Sequence, residues 1–195
     1  MPTPVKEEAL MHEIPVYQPQ KIRNNQEFLD TLKEIQPDII IVAAFGQIIP
    51  KEVLELPKYG CINIHASLCR STERCTIQQA VIDGEKVSGV TIQQMGEGLD
   101  TGDMISKIVI PISPTETGGS LFGKLAQAGA DLLIKTLPSI EQGTAEFEKQ
   151  PGGESYTLCG YDHQTDGTDG FQKICRRTGT PCTRPESMAK CLYIS

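Results

Sequence analysis

Tryptophan is absent from the 195 residues, aromatic side chains make up only 5% of them, and no apolar run approaches the roughly 20 residues that a membrane-spanning helix needs. The opening MPTPVKEEALMHE lacks the charged-then-apolar pattern of a secretory signal, so a cytosolic location without a membrane partner is the expectation. An excess of basic charge is missing too: 18 Lys and Arg stand against 25 Asp and Glu, for a net charge of −7. Tight hold on a polyanion by counterion release is therefore disfavoured for this chain alone. Finally, no Cys-x-x-Cys pair occurs among Cys61, Cys69, Cys75, Cys159, Cys175, Cys182 and Cys191, and His163 is the one imidazole near the last of them. A zinc site is not expected.

What is present is a globular composition, 38% hydrophobic and 22% charged, in a length that fits one domain or one domain with an appendage. PVKEEALMH (4–12) starts with a proline suited to a first helical turn and carries early acidic residues, which predicts a short helix. IPVYQP reads as a strand or an extended link. Asn25 can cap QEFLDTLKEI, whose Phe28, Leu29, Leu32 and Ile35 share a helical face, and Pro37 ends it.

DIIIVAAF (38–45) is a continuous β-branched run between Pro37 and Gly46, the pattern of a parallel strand buried on both faces. PKEVLEL follows as a short helix and CINIHAS as a second strand. TIQQAVIDGE predicts a helix, SGVTIQQM and DMISKIVIPI two further strands, and Thr117 to Gln142 a long amphipathic helix. The alternation is α/β, in which ligands sit outside the carboxyl ends of strands, where Asn63, His65 and Ser67 fall. Between the last two predicted strands lies GEGLDTGD (96–103), whose glycines permit positive φ and present Asp100 on a constrained backbone.

An Asn, a His and an Asp meeting at strand ends suit acyl transfer. The imidazole moves a proton near neutral pH, the amide donates to a developing oxyanion, and the carboxylate orients and charges the imidazole. Residue types alone leave open that His65 is a satisfied strand-end histidine and Asp100 a turn residue.

The wording of the segments goes further. NIHASL (63–68), GVTIQQMGEGLDTGDM (89–104) and PDIIIVAAFGQIIPKEVLELPKYGCINIH (37–65) closely resemble the methionyl-tRNA formyltransferases, as do the PTPVK entry segment and the SL-x-x-KLA-x-x-GA-x-LL helix. The resemblance runs from about Pro2 to Gln150 with one break. It implies a Rossmann-like α/β catalytic domain over 1–151, incomplete at its N-terminus, that moves a formyl group from 10-formyltetrahydrofolate to the amino group of methionine on initiator tRNA. On that pattern Asn63 and protonated His65 stabilise the oxyanion, while Asp100 holds His65 and helps remove the amine proton. Ser67 and Leu68 begin the family's folate loop, and Phe45, Gly46, Gln47 and Ile48 lie against the pterin. No metal is implied, and a monomer is expected.

Two segments depart from the family. Where it reads SLLP-x-Y-R-G-A-A-P-I-Q, this chain reads SLCRSTERCTIQ. Back-translating Leu68 to Arg74 and reading one base ahead of Cys69 yields Leu-Pro-Val-Tyr-Arg, so 69–76 reads as an out-of-frame block. Residues 152–195 lack helical or strand periodicity, and Ser187-Met188-Ala189 shifted by one base reads Pro-Trp-Pro. That tail is expected to be disordered and out of frame. The altered folate loop and the family's missing opening strands and tRNA-gripping regions predict little or no activity for the isolated chain. Rival readings are another 10-formyltetrahydrofolate-dependent enzyme, acting on glycinamide ribonucleotide or a nucleotide sugar, and a non-catalytic folate-binding remnant.

Overall fold

Four strands form one sheet: β1 (Ile40–Ala43), β2 (Cys61–His65), β3 (Val87–Gln94) and β4 (Met104–Pro111), in the order β1-β2-β3-β4. β1 and β2 are parallel, and β2–β3 and β3–β4 are antiparallel. The helices are α1 (Pro4–Met11), α2 (Gln26–Ile35), α3 (Lys51–Leu54), α4 (Ile77–Ile82) and α5 (Gly118–Glu141). The computed structural model describes residues 3–68, 77–97 and 102–150. The expectations for 69–76, for the tail from 152 and for Asp100 itself lie outside the described residues.

Side chains alternate across a strand, and that alternation divides the sheet into two unlike faces. Ile62 and Ile64 of β2 lie on the face of Val90 and Ile92 of β3, and α5 packs over it through Leu121, Leu125 and Ile140. Gly129 lets α5 approach: a Cβ there would stand 3.0 Å from Ile64 Cγ2 and 3.3 Å from Val90 Cγ1. On the opposite face Val42 packs with Ile49 and Val53, joined by Leu29 and Leu32 of α2 and by Met95. That face is apolar beside β1 and turns polar from Asn63 onward.

α5 has the expected extent, with Thr117 at its N-cap accepting from Ser120 N at 3.1 Å and Gln142 at its C-cap. The cap of α2 is also as read, Asn25 Oδ1 accepting from Phe28 N at 3.0 Å. IPVYQP is a link rather than a strand.

The expectation for DIIIVAAF needs correction. β1 is parallel to β2, but it is an edge strand, and only Val42 of its four residues is buried, while Ile41 is 38% exposed. The physical reason is the reach of α5, which covers β2, β3 and β4 and leaves the outer part of β1 beyond it. A β-branched run specifies extended backbone; what covers it is decided by elements distant in sequence.

Candidate active site on the polar sheet face

Asn63 and His65 stand two residues apart on β2 and so share the face opposite α5. The register places Asn63 between Val42 of β1 and Gln93 of β3, and His65 beside Thr91. Asn63 is only 8% exposed, and among the described residues nothing hydrogen-bonds its side-chain amide. Its amide atoms are not among the fully enclosed side-chain atoms that lack a partner, so they remain within reach of a bound group. His65 is half-buried at the carboxyl end of the strand.

The chain beyond His65 is held by β3. Ser67 N donates to His65 O at 2.8 Å, and Thr91 Oγ1, fully buried, donates to Ser67 O at 2.7 Å. Leu68 lies over Gly89, where a Cβ would fall 2.3 Å from Leu68 Cδ2 and 2.1 Å from Ile108 O. No larger residue fits at 89 without moving Leu68 and β4. Alternate residues of β3 thus seat the segment carrying the two folate-loop candidates, Ser67 and Leu68.

On the side of the aspartate loop, Gln94 N donates to Asp103 O at 2.9 Å, and Gly102 takes φ 142° with its α-carbon against the end of β3. A Cβ at Gly102 would meet Gln94 O at 1.7 Å, so only glycine allows this approach. Gln150 Nε2 donates to Gly102 O at 3.0 Å and to Gln93 Oε1 at 3.1 Å.

Phe45 to Ile48 leave β1 through Ala44, a non-glycine residue at φ 50°. Phe45 packs on the Val42 cluster, and the Gln47 amide accepts from Ile22 N at 3.2 Å and donates to Gln20 O at 3.4 Å. These two side chains are committed to the fold. Gly46 faces open space and Ile48 is exposed. Ile48 borders a cleft of about 610 Å³, with Arg23, Asn25, Ile49, Lys51 and Glu97 among its lining. Lys51 Nζ meets Glu97 Oε1 at 2.6 Å across it, and that carboxylate raises the lysine pKa. Asn63 and His65 do not border this cleft. The structure brings Asn63, His65, Ser67 and Leu68 together, and sets the 45–48 segment apart along the edge strand.

Cys61, on the same face, is no rival nucleophile: burial pushes its thiol up to about 11, and its Sγ lies 3.6 Å from Val53 O. The supports at Gly89, Thr91, Gln93 and Gln150 escaped the sequence reading. Polar Thr91 and Gln93 at strand period, among apolar Val90 and Ile92, were the available signal.

Residues 2–137 match the formyl transferase family. The chain belongs to that family. It is 51% identical over 154 residues to a methionyl-tRNA formyltransferase of Agathobacter rectalis, covering 78% of this chain and 49% of the relative. It is 49% identical over 150 residues to the methionyl-tRNA formyltransferase of Bacillus subtilis, covering 76% and 47%. The chain thus spans about half the length of these curated relatives. Among solved structures, phosphoribosylglycinamide formyltransferase from Bacillus halodurans matches with a TM-score of 0.59 at 31% identity, over 68% of this chain and 72% of that one. The formyltransferase PseJ from Anoxybacillus kamchatkensis, solved with a formamido sugar nucleotide and tetrahydrofolate, shares the fold with a TM-score of 0.65 at 22% identity, over 90% and 93%. The α/β architecture with its mixed sheet agrees with the sequence reading.

Proposed function

We propose that the chain carries the centre that transfers the formyl group of 10-formyltetrahydrofolate to the amino group of methionyl-tRNA. What supports this reading is the Asn63 amide, buried and without a hydrogen bond from any described residue, beside His65 on one strand face. The relatives at about half identity supply the acceptor. The donor supplies a formyl group on nitrogen, for nucleophilic attack by the methionine amine. As the new C–N bond forms, negative charge grows on the formyl oxygen, and Asn63 Nδ2 and protonated His65 are the donors that stabilise it. Interactions that strengthen only as this charge develops lower the barrier rather than tighten ground-state binding.

The amine must lose a proton and the departing folate nitrogen must gain one as its C–N bond breaks. Asp100 is assigned the first task, together with holding His65 charged. Ser67, Leu68 and the main chain of Gly46 and Ile48 are the folate contacts we assign, since Phe45 and Gln47 spend their side chains on the fold. Cytoplasmic action in translation initiation and a monomeric state belong to the same reading.

Single-turnover assays, with the chain in excess over acceptor, test it. The chain as it stands and a variant with 69–76 restored to the family's loop are given 10-formyltetrahydrofolate and methionyl-tRNA, glycinamide ribonucleotide or an amino sugar nucleotide. The restored variant is expected to formylate methionyl-tRNA at least about a hundredfold faster than the altered chain. Formylation of only a small amine sinks the tRNA assignment. No transfer by either chain, with a folate analogue still bound in calorimetry, favours a non-catalytic folate-binding protein.

A further inference from the structure

The segment following α5 does not drift away from the sheet. It returns to the start of β4, where Met104 N donates to Glu148 O at 2.7 Å and Glu148 N to Met104 O at 2.8 Å, an isolated antiparallel bridge. Lys107 Nζ adds a salt bridge to Glu148 Oε2 at 3.4 Å. Two residues later Gln150 reaches Gly102 and Gln93.

Its amide nitrogen has two hydrogens. The nitrogen lies within hydrogen-bond distance of two acceptors in the candidate site's framework, Gly102 O at 3.0 Å and Gln93 Oε1 at 3.1 Å. Each acceptor matters for a separate reason. Gly102 follows Asp100 by two residues and is pressed against Gln94, and with Asp103, whose carbonyl accepts from Gln94 N, it forms the held stem of the loop before β4. Gln93 is fully buried and is the register partner of Asn63. Accepting at Oε1 also fixes which end of the Gln93 amide is oxygen, and hence the polarity presented along the row that includes Asn63.

We infer that Gln150 is a positioning residue for formyl transfer, a two-pronged donor that locks the stem of the aspartate loop to the Gln93 amide beside Asn63. The inference rests on the proposed formyl transfer. It assigns Gln150 no contact with substrate; it acts through Gly102 and Gln93. An amide at this place is required because both partners are acceptors. A carboxylate would face two oxygens with none of its own hydrogens, and a thioether of similar length would offer no donor.

The test uses Gln150→Met and Gln150→Glu in the full chain and in its loop-restored form, with rates read in the latter. Gln150→Met is expected to slow single-turnover transfer at saturating donor about tenfold or more, while the half-saturating donor concentration changes less than about threefold. Amide exchange should quicken about tenfold at Gln94 and Met104 and stay unchanged at Ile62 and Ile64, which separates local release from general unfolding. Gln150→Glu should be slow at neutral pH and recover toward the parent as pH falls, since a protonated carboxyl regains one donor; a structural role alone would not give that pH profile. Unchanged rate and exchange in Gln150→Met, or a Gln150→Glu profile parallel to the parent's, overturns the inference. If the parent chain and its loop-restored form transfer nothing, the functional reading fails by itself, and exchange at Gln94 and Met104 decides whether Gln150 holds the loop stem.

Discussion

Asn63 and His65 owe their common face to the two-residue period of β2, but their surroundings are supplied by β3. Thr91 is the clearest case: its hydroxyl reaches Ser67 O at 2.7 Å from a fully buried position directly beside His65. Thr91→Val keeps the shape and removes the donor, so the half-buried Ser67 carbonyl loses this hydrogen bond. We expect a loss of about 1–2 kcal/mol in denaturant unfolding, recovered by Thr91→Ser. Formyl transfer should fall more steeply in Thr91→Val than that stability loss alone implies, because the 65–68 turn loosens; equal rates in the two variants would remove Thr91 from the site. At this scale the sequence was informative about which side chains carry chemistry and silent about what holds them. A motif exposes the reacting residues, whereas a threonine in a strand looks like any β-former until its partner strand is known.

Helix α5 shows how one element can be read almost to its caps. Its apolar face repeats at helical spacing, Thr117 caps it, and Glu116 just ahead of it reinforces the start. The Glu116 side chain is 3% exposed, with Lys124 Nζ at 2.5 Å and a hydrogen bond from Ser120 Oγ. The Lys124 hydrogen bond, followed by that of Ser120, holds the Glu116 carboxyl below the usual carboxylate range. A lowered folded-state pKa means the pair's stabilisation is present above the unfolded value of 4.5 and is lost as pH falls through and below it. Glu116→Gln is therefore expected to melt below the parent at neutral pH and to converge on it in acid; thermal unfolding at several pH values checks this, and a constant difference across the range would refute it. β1 was harder to read because its apolar run is equally consistent with a central and an edge strand. Among the described residues only β2 pairs with it, and α5 lies over β2 to β4, so both its edge position and its poor cover are long-range facts.

Across the whole molecule, order is distributed unevenly. Every residue of β3 from Ser88 to Gln93 is buried, whereas α1 buries none and Met11 is 75% exposed. Local opening free energy follows burial, so amides of 6–12 should exchange within about tenfold of free-chain rates while those of 90–93 approach the global limit. Strong protection of α1 would mean that it packs against something the described residues do not include. The fold class was legible because alternating patterns and turn residues specify an α/β order locally. The site's assembly was less so: its row runs Val42, Asn63, Gln93, Met104 and is tied off by Gln150, five positions spread over most of the described chain.

That last tie has a consequence for biosynthesis. A chain emerging from the ribosome in N-to-C order can pair β1 to β4 and lay down α5 before residue 150 emerges. The stem of the aspartate loop then waits for the segment that forms the Met104–Glu148 bridge. Reactive geometry is thus among the later things the nascent domain acquires, and a chain stalled with α5 outside the exit tunnel and Gln150 still inside it would display the four-stranded sheet with an unlatched active centre.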